Sequence, residues 1–137
     1  MLLGLAVGDA LGTTLEFGPR RSLDNLHTEM IGGGVFRLAP GQWTDDTAMA
    51  VALGRSLIQE KAFRPLSVLG EWSEWYLRGK HACTGTCFDI GNATRSAIPA
   101  DISNRKRNEV SASGFYQDTL EAAMWAVANT SSFESWR

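Results

Sequence analysis

The sequence predicts an all-α protein, and three observations support this fold class. Apolar residues recur at helical spacing over residues 44–60 and 65–78, which is typical of helices that turn one face towards a core. No stretch alternates between apolar and polar residues as a half-buried strand does. The length of 137 residues suits a single domain, and 44% apolar with 20% charged residues is an ordinary globular composition. We therefore predict a compact helical bundle.

The composition argues against several kinds of partner. A formal net charge of −2 provides no basic surface for nucleic acid. Cys83 and Cys87 are the two cysteines, too few for a disulfide framework and without the second pair of ligands that a zinc site needs. No apolar run is long enough to span a membrane, and residues 1–7 lack the basic leader of a signal peptide. We expect a cytoplasmic protein.

The first predicted element is a short apolar helix over residues 1–12. Its small residues, from Gly4 to Ala10, would let another helix approach closely. Asp9 is unusual there, because a carboxylate in an apolar helix needs a hydrogen-bond partner. The residues alone leave two interpretations open, a hydrogen-bonded structural aspartate or a member of a functional site.

A long loop is predicted over residues 18–43. It contains the glycines at 32–34 and a Pro-Gly pair at 40–41, which break regular structure. Loops of this length inside a compact domain are more often functional than not. Glu16 lies where the first helix gives way to this loop, and by itself it has the character of a surface glutamate.

Residues 44–60 form the most clearly predicted helix. Thr44 suits the N-cap, where its hydroxyl accepts a hydrogen bond from an amide of the first turn. Asp45 and Asp46 follow at the positive end of the helix dipole. At a helix start these three side chains can converge on one point, and their hard oxygens would suit Mg²⁺. A capped helix with an acidic first turn explains the same residues, so both interpretations stay open.

Two apolar stripes define the predicted core. The stripe of the helix at 44–60 consists of Met49, Ala52, Leu53, Leu57 and Ile58. A second helix begins at Pro65 and ends at Gly79, and its buried face consists of Leu66, Leu69, Trp72, Trp75 and Tyr76. Proline is favourable at the first helical position because its missing amide would be unpaired there.

A second glycine-bounded loop, at residues 85–91, carries Asp89 between apolar neighbours. A carboxylate in this setting either is buried with partners or has a raised pKa, and both are typical of functional sites. The competing interpretation is that Asp89 caps the short helix predicted at about 92–98. Residues alone do not decide between the two.

The last part of the chain changes character. Residues 99–113 are rich in charged and polar side chains and are predicted to form an exposed linker. A helix is predicted at about 115–129, followed by a polar tail. We therefore describe residues 1–137 as one domain, divided into an N-terminal part at 1–98, the linker at 99–113, and the C-terminal helix and tail at 114–137.

Three motifs follow one another along the sequence. They are Gly-Asp-Ala-Leu-Gly at residues 8–12 with Glu-Phe at 16–17, Gly-Gln-Trp-Thr-Asp-Asp-Thr at 41–47, and Gly-Thr-Cys-Phe-Asp-Ile-Gly at 85–91 with Thr-Arg at 94–95. Together they resemble the ADP-ribosylglycohydrolase family and occur in the order found there. The resemblance implies an all-α bundle of that family's type.

The resemblance also implies a function and a set of site residues. It implies a Mg²⁺-dependent hydrolase that removes ADP-ribose from a modified protein residue or a small acceptor. ADP-ribose or an ADP-ribosylated substrate would be its partner. By resemblance, the catalytic residues are Glu16 and Asp89, the metal ligands are Thr44, Asp45 and Asp46, and the ligand-binding residues are Asp9, Gly85 and Gly91. Complete members hold two Mg²⁺ ions, and we expect this chain to keep at most half of that site.

Two parts of the family pattern have no counterpart in this sequence. One is a helical section with a Gly-Asn-Gly loop between the matching blocks, and the other is a Gly-Gly-Asp-Ala-Asp-Thr motif that supplies the other half of the metal site. We therefore expect a shortened, incomplete bundle whose exposed apolar surface favours self-association. The alternatives to an enzyme are a non-catalytic remnant or interaction module that associates through exposed helical faces, and an incomplete gene product without a role.

Overall fold

The structure, a computed structural model, describes residues 2–22 and 27–98. This part of the chain contains α1 (Leu2–Gly12), a 3₁₀ turn (Thr13–Leu15), α2 (Asp45–Glu60), α3 (Pro65–Arg78) and α4 (Asn92–Ala97). Its one β pairing is an isolated bridge between Gly33 and Leu38. The all-α prediction is confirmed, and the four helices begin and end close to the predicted residues. The predicted linker at 99–113 and helix at 115–129 lie outside the described residues.

Helices α2 and α3 form the central pair, and α1 packs against α2. A core cluster of Ala48, Trp75 and Ile90 lies at the beginning of α2. Trp75 is 1% exposed and is the largest side chain buried to that degree among the described residues. The core therefore supports the end of α2 that carries the acidic motif.

The stripe predicted for α2 is wrong towards its end. Ile58 is 77% exposed and Leu57 is also exposed, whereas Ala52 and Ser56 are fully buried. The Ser56 hydroxyl donates to the hydroxyl of Ser67 on α3 at 2.8 Å. Small side chains therefore form the contact between the second half of α2 and α3, whereas the large apolar residues Leu57 and Ile58 are exposed.

The face predicted for α3 is largely correct. Leu69 and Trp75 are buried, and the Trp72 indole N–H donates to the Met49 carbonyl oxygen at 3.1 Å. Leu66 is an exception, because it is 55% exposed while its neighbour Val68 is buried in its place.

Gly79 ends α3 in the left-handed conformation, with φ of 69°. A Cβ at this position would clash with the carbonyl oxygen of Gly85. Glycine is required here because the chain turns back on itself and brings residues 79 and 85 together. This close approach begins the loop that leads to Asp89.

Helix α1 exposes apolar side chains within the described part of the chain. Leu2, Leu3, Leu5 and Val7 are exposed, and Ala10 is the one buried residue of the helix. The exposed apolar surface predicted from the sequence is therefore present, whereas self-association stays a prediction. None of the helices in residues 2–22 and 27–98 combines the length and the apolarity that a membrane crossing requires.

Candidate active site

A cavity of about 430 Å³ lies where the end of α1 meets the beginning of α2. It is lined by Gly8, Asp9, Gly12, Thr13, Leu15, Glu16, Thr44 and Asp46. Two of the predicted motifs therefore contribute to one cavity, although their residues Asp9 and Thr44 are 35 positions apart in the sequence.

Asp9 holds the beginning of α2. Its carboxylate accepts hydrogen bonds from the backbone amides of Thr44 and Thr47, at 3.0–3.1 Å. The hydroxyls of the same two threonines donate to it at 2.8 Å and 2.6 Å. Asp9 is therefore the hydrogen-bonded aspartate that an apolar helix needs, and it also lines the cavity.

The predicted capping role of Thr44 needs a correction. Thr44 does occupy the N-cap position of α2, but its hydroxyl makes no capping hydrogen bond with the first turn. The Thr44 hydroxyl donates to Asp9 instead. The carboxylate of Asp9, which belongs to α1, accepts the hydrogen bond from the first-turn amide of Thr47 that Thr44 was expected to accept. The cap is thus supplied from another helix, and Thr47 takes part in it, which the sequence prediction missed.

Asp45 and Asp46 form the acidic first turn of α2. Asp46 is exposed and lines the cavity, whereas Asp45 is half-buried. Burial and, after it, the negative charges of Asp89 and Asp46 together raise the pKa of Asp45 to about 6. The two carboxylates therefore lie close to a third, from the loop before α4.

Asp89 is the most constrained carboxylate of the group. Its backbone is left-handed, with φ of 58°, and its buried Oδ2 atom accepts no hydrogen bond from any described residue. Burial is the main cause that raises its pKa to about 6, followed by the charge of Glu16. The Glu16 carboxylate therefore lies close enough to act on Asp89 through its negative charge.

The interpretation of Asp89 as a helix cap is wrong. Gly91 is the N-cap of α4, and no side chain caps this helix. A left-handed aspartate with an unpaired buried oxygen is a strained arrangement that stability alone does not explain. The functional interpretation of Asp89 is therefore the one that the geometry favours.

Glu16 lies directly after the 3₁₀ turn, at the rim of the cavity. Gly85 and Gly91 lie at the two ends of the loop that carries Asp89, and neither lines the cavity. Gly85 is left-handed, with φ of 74°, and Gly91 accepts the first backbone hydrogen bond of α4. The two glycines shape this loop, and ligand binding by them stays a prediction.

A second network joins the loop at 79–91 to the residue before Thr44. The Trp43 indole N–H donates to the His81 carbonyl oxygen at 3.4 Å, and the Cys83 thiol donates to the Trp43 carbonyl oxygen at 3.0 Å. Glu71 of α3 pairs with Lys80 and with the His81 ring at 2.7 Å. Burial would raise the pKa of Glu71, but the bonds from His81 and Lys80 outweigh it and lower that pKa. These contacts fix Asp89 near α2, and no local sequence pattern indicated them.

The oxygen donors at the start of α2 match Mg²⁺ in their chemistry. Thr44, Asp45 and Asp46 offer hard oxygens, and the unpaired Oδ2 of Asp89 is a buried acceptor without a donor. In the described residues, however, no three carboxylate, histidine or cysteine groups lie close enough to enclose a cation. The donors therefore fit magnesium as one side of an open site and not as a closed ligand shell.

Comparisons with known proteins agree with these motifs. The family model of ADP-ribosylglycohydrolases matches residues 1–124. The chain is 51% identical over 98 residues to the ADP-ribosylarginine hydrolase Tri1 of Pseudomonas putida, an alignment that covers 71% of this chain and 26% of that protein. It is 42% identical over 99 residues to the ADP-ribosyl-[dinitrogen reductase] glycohydrolase of Rhodospirillum rubrum, covering 70% of this chain and 31% of that protein. The chain thus spans between about a quarter and a third of the length of these relatives.

Proposed function

The chain belongs to the ADP-ribosylglycohydrolase family, and from this premise we propose that it hydrolyses the bond between ADP-ribose and an arginine side chain. The observation that carries the proposal is the cavity that Glu16 lines together with Thr44 and Asp46 from the start of α2. Asp89 does not line this cavity, but it lies close enough for the charge of Glu16 to raise its pKa. The arginine acceptor is that of the ADP-ribosylarginine hydrolase with which the chain shares 51% identity.

The paired carboxyl groups provide the acid and the base of this reaction. Burial and the charge of Glu16 raise the pKa of Asp89 to about 6, so Asp89 exchanges a proton readily near neutral pH. The protonated group gives its proton to the leaving guanidine nitrogen, and the ionised group accepts a proton from the attacking water. The bond from the anomeric carbon to nitrogen breaks, and the water oxygen takes its place. Negative charge beside the anomeric carbon stabilises the positive charge that develops there.

The start of α2 binds and orients the substrate in this proposal. Thr44, Asp45 and Asp46 would hold a magnesium ion, which when bound supplies positive charge that orients the ribose hydroxyls and a water molecule. Asp9 fixes the direction of these residues through its hydrogen bonds to the first turn. The raised pKa of Asp45 supports the proposal, since after burial its causes are the negative charges of Asp89 and Asp46, and the same charges would attract a cation.

The test is the release of ADP-ribose from an ADP-ribosylated arginine peptide by the purified 137-residue chain. We expect release with Mg²⁺ present and at least a tenfold slower release after chelation by EDTA, because a bound metal ion contributes several kcal/mol to such reactions. A matched peptide that carries free arginine gives the background. Absence of release with Mg²⁺, at enzyme concentrations equal to the substrate concentration, would contradict the proposal for this chain.

A second candidate function is an interaction module. It is favoured by the exposed apolar side chains of α1. The assay above separates the two functions, because a module that only associates releases no ADP-ribose. A cytoplasmic location is part of the proposal in either case.

A further inference from the structure

Three phenylalanine rings form a row beside the carboxylate pair. The rings of Phe17 and Phe36 meet edge to face, with centroids 6.0 Å apart, and the rings of Phe36 and Phe88 are tilted, with centroids 5.2 Å apart. Phe17 directly follows Glu16 in the sequence, and Phe88 directly precedes Asp89. The row therefore connects the two segments that carry the acid–base pair, and the mechanism above does not use it.

The central ring is held in place by the glycine loop. The Thr14 hydroxyl of the 3₁₀ turn donates to the Gly32 carbonyl oxygen at 3.1 Å. At Gly34, a Cβ would lie 3.2 Å from the Thr13 carbonyl oxygen, so the loop passes closely over the turn that precedes Glu16. This close approach places Phe36 between the other two rings.

Stability does not explain the outermost ring. Phe17 is 74% exposed, and its backbone is left-handed, with φ of 56°, which a bulky side chain rarely adopts. Arg37, which follows Phe36, and Asp89, which follows Phe88, are also left-handed. Strain of about 1–3 kcal/mol at each such residue is typical of binding and catalytic sites. An exposed aromatic ring held by strained backbone is thus better explained by a ligand than by packing.

The charge beside the rings is negative. Glu16 and Asp89 adjoin the row, and the strongest influences on Asp89 after burial are other carboxylates, namely Glu16, Asp9 and Asp46. Arg20, Arg21 and Arg37 lie in the neighbouring loops and are exposed to solvent, which screens their repulsion of a cation. A planar cation can therefore lie on a ring face while it pairs with a carboxylate.

We infer that the row of Phe17, Phe36 and Phe88 binds the guanidinium group of the arginine acceptor, next to the Glu16–Asp89 pair. This inference deepens the proposed function and rests on it. Phe17 and Phe88 are the sequence neighbours of Glu16 and Asp89, so the row joins the two segments whose carboxyl groups would give the leaving nitrogen its proton. A guanidinium fits the combination of an aromatic face and adjacent carboxylates, whereas a neutral nucleobase would use the rings but gain nothing from the negative charge.

The test measures binding of the arginine group without any reaction. The full chain is labelled with ¹⁵N and titrated with N-acetyl-arginine amide and, separately, with N-acetyl-citrulline amide, which has nearly the same shape and no charge. We expect the arginine compound to shift the amide signals of residues 16–17, 36–37 and 88–89, and the citrulline compound to bind several-fold more weakly. Absence of shifts at these residues, or equal binding of the two compounds, would overturn the inference.

Two leucine substitutions complete the experiment. Phe17→Leu keeps an apolar side chain but removes the ring, and we expect it to weaken binding of the arginine compound about threefold, as for one exposed cation–π contact. Phe63→Leu is the matched control, because Phe63 is also largely exposed, at 62%, and lies beyond the far end of α2. It should leave binding unchanged.

Free ADP-ribose, titrated into the same samples, separates the two proposals. If Phe17→Leu weakens ADP-ribose binding as much as arginine binding, the row binds the nucleotide and the inference is wrong. The wild-type chain could also fail to release ADP-ribose in the hydrolysis assay and fail to bind it in this titration, yet still bind the arginine compound at the rings. In that case the proposed hydrolysis is wrong and the guanidinium site stands.

Discussion

Replacing Asp9 with asparagine is expected to lower the free energy of unfolding by about 3 kcal/mol, the sum of a lost helix cap and a buried group left without a partner. The carboxylate of Asp9 accepts hydrogen bonds from four donors, the amides and hydroxyls of Thr44 and Thr47. An asparagine amide group would turn its own N–H donors towards at least one of them. Both threonines are buried, so water cannot take over the lost bonds. Urea unfolding of the full chain measures the effect.

Two further variants provide smaller expected losses of stability with which the effect of Asp9→Asn can be compared. Thr47→Val removes one of the four donors and is expected to cost about 1 kcal/mol. Glu74→Gln alters an exposed carboxylate that pairs with Arg78, and it should change stability by less than about 0.5 kcal/mol. If Asp9→Asn were no more costly than Glu74→Gln, Asp9 would not be the group that holds the start of α2.

Replacing Asp89 with asparagine is expected to have opposite effects on activity and stability. Hydrolysis should fall by about 10²- to 10⁴-fold, which is the usual contribution of a general acid or base. Asparagine also adopts the left-handed backbone conformation without difficulty, so the loop should keep its shape. The measurements are the rate of ADP-ribose release and the unfolding midpoint of the same two proteins.

The Asp89→Asn variant should be more stable than the wild type once the pH is high enough for Asp89 to lose its proton. The pKa of Asp89 gives the pH range over which this difference develops. The pKa is about 6 in the folded chain and 3.8 for an ordinary aspartate, so the folded state keeps a proton that the unfolded state has lost. Stability of the metal-free wild type therefore falls as the pH rises from about 4 to about 6. Asp89→Asn removes its share of this fall, while Asp45 retains the part of its own shift that comes from burial and from Asp46.

The comparison is made in EDTA, since a bound cation would reverse the effect of neighbouring carboxylates. We expect the two proteins to be equally stable near pH 4 and the variant to be more stable at pH 7.5. A variant that is less stable than the wild type at pH 7.5 would mean that Asp89 serves packing and not catalysis.

The boundaries of the helices could be predicted because local chemistry sets them. Pro65 begins α3 and Gly79 ends it, and both act through their own backbone. The buried face of α2 was harder to predict, since Ala52 and Ser56 carry little hydrophobicity and Leu57 carries much. Which of these faces a neighbouring helix depends on how closely that helix packs, and the periodicity of a single helix does not contain this information.

The chemistry of the site could be predicted in part. The motifs that resemble a known family point to Asp9, Asp45, Asp46, Glu16 and Asp89, whose roles stay predictions. What the sequence did not give was their mutual arrangement, because the contacts from Asp9 to Thr44 and Thr47 span 35 and 38 residues. The role of Thr47 follows from such a contact alone.

The phenylalanine row shows the same limit. Phe17 and Phe36 both precede α2 and lie far apart in the sequence, Phe88 lies in the loop before α4, and only the folded chain brings their rings together. The sequence neighbours of Asp89 leave two interpretations open, a helix cap or a site residue. Its left-handed backbone, which decides against the cap, is a property of the loop as a whole.

The central claim is that the acidic start of α2 and the Glu16–Asp89 pair bind ADP-ribose together with Mg²⁺. Its most direct test is the thermal unfolding midpoint of the full chain with neither ligand, with each alone, and with both. A ligand that binds only the folded state adds about 2.7 kcal/mol to the free energy of unfolding at a concentration one hundred times its dissociation constant. It must therefore raise the unfolding midpoint. We predict one cooperative transition whose midpoint rises most with both ligands present. A cooperative transition that stays at the same temperature in all four samples would contradict the claim.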